Sequence, residues 1–165
     1  MTRDGSAFAR LYRGELDGLV RLAHASSGDR SAAEEIVAEA VARVWARWRR
    51  HDIDDLTSYL RRAVVNEVIA RSRRRARFES RQPLLLVGAA IDRGEAAVDD
   101  RDALWIALRA LPVEQRAAIA LRYLTDLTEA QTAETLGVPL GTVKSRVSRG
   151  LEQLRAQLSE GHEHA

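Results

Sequence analysis

Along the first eighty residues, hydrophobic positions recur at the three- and four-residue spacing of amphipathic helices. Phe8, Leu11, Tyr12, Leu16, Leu19, Val20 and Ala23 share one face and predict a helix over Phe8–His24, closed by the turn SSGD at Ser26–Asp29. Ser31 with Glu34 three residues on has the form of a capping box opening a second helix. In that helix Ile36, Val37, Ala40, Val41, Val44, Trp45 and Trp48 make a broad apolar face. Glu34, Glu35 and Glu39 occupy its first turns, where the helix dipole favours acids. HDIDD, His51–Asp55, interrupts, and its last aspartates are placed to cap a third helix from Leu56 to about Phe78. That helix begins with packing residues, Leu56, Tyr59, Leu60, Ala63, Val64 and Val68. It ends as RSRRRAR, with little to bury. Three helices of this length can enclose a small bundle core.

Periodicity lapses from Glu79 to Asp100, a stretch with a proline, two glycines and several acids that reads as a linker. Its PLLLV segment is apolar enough to rest on another surface. Pattern returns with Leu104, Trp105, Leu108 and Leu111 on a helix that Pro112 stops. Pro112 also suits the first position of the next helix, which ends near Tyr123. Thr128 and Gln131 offer a second capping box, the helix they open stops at Gly137, and a last helix runs from about Leu140 to Leu158. The fold class is therefore all-α, two small helical domains joined by a flexible linker. A three-helix bundle spans residues 1–78, the linker 79–100, and a four-helix domain 101–159. Residues 160–165, GHEHA among them, read as a disordered tail.

Charge refines this picture by its distribution. The net charge of the 165-residue chain is only +2, but residues 61–81 hold eight arginines against Glu67 and Glu79, and residues 140–158 hold four cations against Glu152. An acidic stretch lies between them. The absence of cysteine removes disulfides, thiol nucleophiles and cysteine-ligated zinc. No apolar run reaches membrane-spanning length and no signal-peptide core is present, so a cytoplasmic chain without membrane insertion is expected. Gly-rich phosphate loops, paired catalytic carboxylates and metal-ligand spacings are missing. An enzyme, a cofactor and a small-molecule substrate are not expected.

The segment LGVPLGTVKSRVSRGLEQL gives the basic helix a geometry. Counting from Glu129, Ala133 is small where two helices cross, Gly137 falls at a corner that needs positive φ, and Val143 follows six residues later to lock the second helix onto the first. This is helix-turn-helix spacing, in which the second helix enters the DNA major groove. Val143, Val147, Leu151 and Leu154 form its buried stripe, which leaves Thr142, Lys144, Ser145, Arg146 and Arg149 to face DNA. An αα-hairpin with a solvated basic face has the same spacing.

The words themselves resemble a known family. LPVEQRAAIALRYLTDLTEAQTAETLGVPLGTVKSRVSRGLEQLR looks like region four of the extracytoplasmic-function (ECF) sigma factors of the sigma-70 family. SGDRSAAEEIVAEAVARVWARW followed by SYLRRAVVNEVIARSRRRAR is similar to sigma region two. The resemblance implies a subunit that joins core RNA polymerase and directs it to promoter DNA, with region four on the −35 element and region two on the −10 element. Carried over, Thr142, Lys144, Ser145, Arg146 and Arg149 meet the −35 duplex. Glu34, Glu35, Val37, Glu39 and Val41 match the segment that docks on the polymerase. Tyr59, Arg62 and Asn66, after the Arg49–Asp55 loop, match the site that holds an unstacked −10 base. Arg71, Arg73, Arg74, Arg75 and Arg77 suit phosphates of the same strand, as well as the dipole of a helix C-terminus. Trp45 and Trp48 read as core.

Two positions depart from the family pattern: Ala38 stands where an amide is usual, and Ala70 where an aspartate is usual. The resemblance also implies an anti-sigma protein as a candidate partner, since the linker permits a closed arrangement. The rival readings are a helix-turn-helix regulator of the response-regulator type, whose receiver strands the first 78 residues lack, and a polymerase-binding module that reads no DNA.

Overall fold

The computed structural model describes residues 5–81 and 100–163. Among them lie seven helices and no strand: α1 (Gly5–Ser27), α2 (Arg30–Trp48), α3 (Leu56–Arg81), α4 (Asp100–Ala110), α5 (Val113–Leu124), α6 (Glu129–Leu136) and α7 (Leu140–Glu163). The all-α reading holds.

The first three helices close on one core in which Phe8, Leu19, Ile36, Val37, Val44, Leu60 and Val64 are buried. Each such side chain contributes about 1.5–3 kcal/mol by leaving water. Trp45 and Trp48 belong here as expected, with ring centroids 4.9 and 5.4 Å from that of Phe8. The start of α2 differs from the reading of Ser31 as its cap. Asp29 is the N-cap, and its carboxylate accepts the backbone N–H of Ser31 at 3.0 Å and of Ala32 at 3.2 Å. Ser31 is already inside the helix and donates its hydroxyl to the same oxygen. Asp55 caps α3 as anticipated, accepting the Ser58 N–H at 3.0 Å. That helix runs on to Arg81 rather than stopping near Phe78, and Arg75 reaches Glu79 one turn on at 2.8 Å.

In the second half, Ala107, Leu108, Leu111, Ile119 and Leu154 make one core, and Ala118, Ala133, Val143 and Val147 another. Pro112 is the N-cap of α5 rather than its first residue. The last helix passes Leu158 and continues to Glu163, into the stretch expected to be a disordered tail. The remainder of the expected linker, PLLLV included, falls outside the described residues, as do residues 164–165.

The two halves are joined by a core of their own. Leu22 and Ala25 of α1 and Val65 of α3 pack with Ala117, Ala120 and Leu121 of α5, all buried. Around this contact, Arg116 spans the halves. Its Nε donates to the Ser26 carbonyl at 2.9 Å, and its Nη1 to the carbonyls of Arg109 and Leu111 at 2.8 Å each. His24 stacks on Trp105 with centroids 3.9 Å apart. Burial, then Arg30, holds the imidazole pKa below its ordinary value. Gly28, at φ 72°, lets the chain turn against α4, where a Cβ would stand 2.8 Å from Cγ of Arg109.

Candidate nucleic-acid interface

The corner between α6 and α7 is built from backbone chemistry. Thr128 and Gln131 close a reciprocal box, with Gln131 N–H donating to the Thr128 hydroxyl at 3.1 Å and Thr128 N–H to the Gln131 side chain at 2.9 Å. Gly137 takes φ 65°, and its N–H returns to the carbonyls of Ala133 and Glu134. Pro139 O then accepts from Thr142 and Val143, starting α7. Val143 is fully buried and packs in the cluster that holds Ala133. Gly150, for which the sequence suggested no role, presses α7 onto α5: a Cβ there would lie 2.6 Å from Cδ1 of Ile119. Its signal was a glycine inside a continuous helical pattern, a mark of close approach.

What α7 leaves outward is basic. Lys144 and Arg149 are exposed, while Thr142, Ser145 and Arg146 are half-buried. Lys144 lies 3.9 Å from Glu129, both side chains well exposed. An exposed pair of that kind is weak enough to exchange for another anion. The Ser145 hydroxyl donates to the Thr142 carbonyl at 3.0 Å.

On α3, Tyr59, Arg62 and Asn66 share a face, being three and seven residues apart. They line a cavity of about 670 Å³ with Arg43, Arg47, Glu67 and Arg74. A second cavity of about 400 Å³ adjoins it, between Tyr59, Arg62 and the HDIDD loop on one side and Gln131 and Glu134 of α6 on the other. Tyr59 and Arg62 border both.

The RSRRRAR run divides. Arg73, Arg75 and Arg77 are exposed. Arg71 is not the unpacked cation that the sequence suggests. It bonds Glu39 at 2.9 Å, Glu67 at 3.1 Å and Glu35 at 3.2 Å, tying α3 to α2, and these carboxylates push its pKa up, Glu35 foremost. Arg74 reaches Glu67 at 2.9 Å yet keeps 56% of its side chain exposed.

Of the residues expected to meet the polymerase, Glu34, Glu35 and Glu39 are exposed on α2. Val37 corrects the expectation: at 1% exposure it sits in the bundle core, so it holds α2 in place and offers no docking surface. Val41 is half-buried and packs on the same core. Glu67 is the residue that sequence reasoning missed. It is a buried acid within a basic helix, with arginines at i+4 and i+7, but that spacing alone does not tell that the acid turns inward.

Two helical lobes, one ending in a helix-turn-helix with a basic second helix and the other carrying a cationic groove, define a helical DNA-binding protein. Comparison with known proteins narrows the class. Residues 11–78 match the family described as Sigma-70 region 2, and residues 101–154 match Sigma-70, region 4. ECF RNA polymerase sigma factor SigM of Mycobacterium tuberculosis is 38% identical, over 92% of this chain and 76% of its own. ECF RNA polymerase sigma factor SigE of Mycolicibacterium smegmatis is 33% identical, over 91% of this chain, which spans 61% of that relative's length. Among solved structures, the sigma factor RpoE of Bartonella quintana, in complex with the anti-sigma factor NepR, superposes with a TM-score of 0.75 at 26% identity, covering 93% of this chain and 97% of that one. The chain belongs to the ECF RNA polymerase sigma factors of the sigma-70 family. Among the described residues no helix is long and apolar enough to cross a membrane.

Proposed function

We propose that this chain binds core RNA polymerase and directs it to promoters, with α7 on the −35 duplex and the α3 groove on the −10 strand. The observation that supports it most is one chain carrying both a capped, glycine-cornered helix-turn-helix and, on α3, an aromatic, an amide and arginines around one groove. An extruded base needs a stacking ring and an edge to bond, and Tyr59 and Asn66 supply these types. Lys144, Arg146 and Arg149 address phosphate and base edges of the duplex, and Arg73, Arg75 and Arg77 the phosphates of the −10 strand. Glu35 and Glu39, both bonded to Arg71, are the acids assigned to the polymerase, together with Glu34. In this reading the protein is a binding factor rather than an enzyme, works in the cytoplasm beside the transcription machinery, and is organised as residues 1–78 and 101–159. The likeness to RpoE held by NepR supports an anti-sigma protein as a further partner.

Run-off transcription with bacterial core polymerase on a promoter library tests the whole reading. The expected result is new start sites that share two spaced elements. Arg146→Ala should relax preference at the −35 element alone, and Asn66→Ala at the −10 element alone. Lys144→Ala and Arg149→Ala should each lower the slope of log affinity against log salt by about one, the signature of one fewer phosphate neutralised. Polymerase binding without new starts overturns the promoter-reading half.

A further inference from the structure

The acid at position 67 has an arrangement that promoter binding, as proposed, does not use. Glu67 is 3% exposed, yet accepts hydrogen bonds from three guanidiniums, those of Arg43 on α2 and of Arg71 and Arg74 on α3. Burial alone would raise its pKa; the bonds from Arg43, Arg74 and Arg71 outweigh that and bring it below the ordinary value, so the carboxylate is charged. Among the described residues, only Arg71 of its three partners is spent on other acids, Glu35 and Glu39. Arg43 and Arg74 keep 58% and 56% of their side chains exposed, and both line the groove of Tyr59, Arg62 and Asn66. Ala70, on the same groove, has no acceptor to offer.

From this geometry we infer that Glu67 is a positioning residue for −10 recognition, holding Arg43 and Arg74 at the lip of the groove in the orientation in which they meet the DNA strand. This rests on the groove being the −10 site. The physical reason is preorganisation. A free arginine loses its rotamer freedom when it binds, whereas one already anchored from behind loses less and presents its remaining N–H groups in a fixed direction. A network in which every member is bonded keeps that direction. Because Glu67 immediately follows Asn66 on α3, the acid that anchors Arg43 and Arg74 is fixed relative to the amide. Substrate touches the arginines and not the acid.

The test uses holoenzyme reconstituted from full-length chain and core polymerase, with base preference at each promoter position read by sequencing transcripts from a library. Glu67→Gln keeps the shape and removes the charge. Preference at the −10 element should fall by about tenfold, the scale of a single directional hydrogen bond to a base, while −35 preference and affinity for core polymerase stay unchanged. Glu67→Asp, which restores the charge on a shorter arm, should recover part of the loss. Arg43→Gln and Arg74→Gln alter groups that are more than half exposed and leave the core intact. Each should reproduce the −10 effect, which keeps the test open should Glu67→Gln fail to fold. Unchanged −10 preference in these variants overturns the inference. So does a uniform loss of transcription that follows the melting temperature, since that is what a purely structural acid would give. Tyr59→Ala and Asn66→Ala separate the two levels. If they alter −10 preference while the Glu67, Arg43 and Arg74 variants do not, only this inference falls. If they too leave it unaltered, the groove is not the −10 site and both fall.

Discussion

An alanine at position 137 would have room but not the conformation. A Cβ there meets nothing nearer than Nη2 of Arg62 at 3.6 Å, while φ is 65°. Gly137→Ala should therefore cost about 1–2 kcal/mol through the backbone alone, measured as a lower urea midpoint with the slope unchanged. Transcription should weaken mainly on promoters that depend on their −35 element, because the same corner aims α7. This glycine was legible because its requirement is local and leaves a residue-type mark; so were Thr128 with Gln131, and Asp55. Glu67 and Val37 were not. Whether an acid on a basic helix turns inward, or a valine on a docking segment faces the core, depends on what lies across the bundle. Arg71 finds Glu35 on another helix, 36 residues away in sequence. No spacing rule carries that information.

Helices were easier to place than their ends. At the start of α2 the pattern of Ser31 with Glu34 suggested Ser31 as the cap, whereas Asp29, read as part of the preceding turn, takes that place. A carboxylate that collects two backbone N–H groups and a hydroxyl outcompetes a serine that can serve one donor. The Ser31 hydroxyl, more than any other group, holds the Asp29 pKa below its ordinary value of 3.8. The sign follows from linkage: a depressed carboxylate stabilises the fold above the unfolded pKa, and that contribution is lost as pH falls through the lower folded value. Asp29→Ala should thus cost about 1 kcal/mol near neutral pH. Urea unfolding of variant and wild type should converge at the acid end, below the folded pKa of Asp29. The ends of α3 and α7 ran past their predicted stops for the opposite reason. Once a helix is nucleated, each added residue needs only one more bond, so a polar extension with ion pairs such as Arg75–Glu79 persists without a core.

The largest scale was the least legible. Two domains and their order could be read, but not that they share a buried core. The sign lay in apolar residues outside the main stripes, Leu22 and Ala25 on α1 and Val65 on α3, each of which faces α5 instead of its own bundle. Leu121 is fully buried in that contact. Leu121→Glu should part the lobes while leaving their helices formed. Small-angle scattering should then show a radius of gyration well above the roughly 15 Å of a compact chain of this size, with unchanged far-ultraviolet circular dichroism. The cavity under α6 gives the closed form a further meaning. A DNA strand laid on Tyr59 and Arg62 from that side competes with the fold itself, so the apparent affinity of the free chain is its intrinsic affinity multiplied by the fraction of open molecules. Every 1.4 kcal/mol or so of closure makes that fraction tenfold smaller. In the proposed reading, a polymerase that held the lobes apart would remove the competition and would impose an order of assembly, enzyme first and promoter second. Copies not yet recruited would then be spared from accumulating along the bulk of the chromosome.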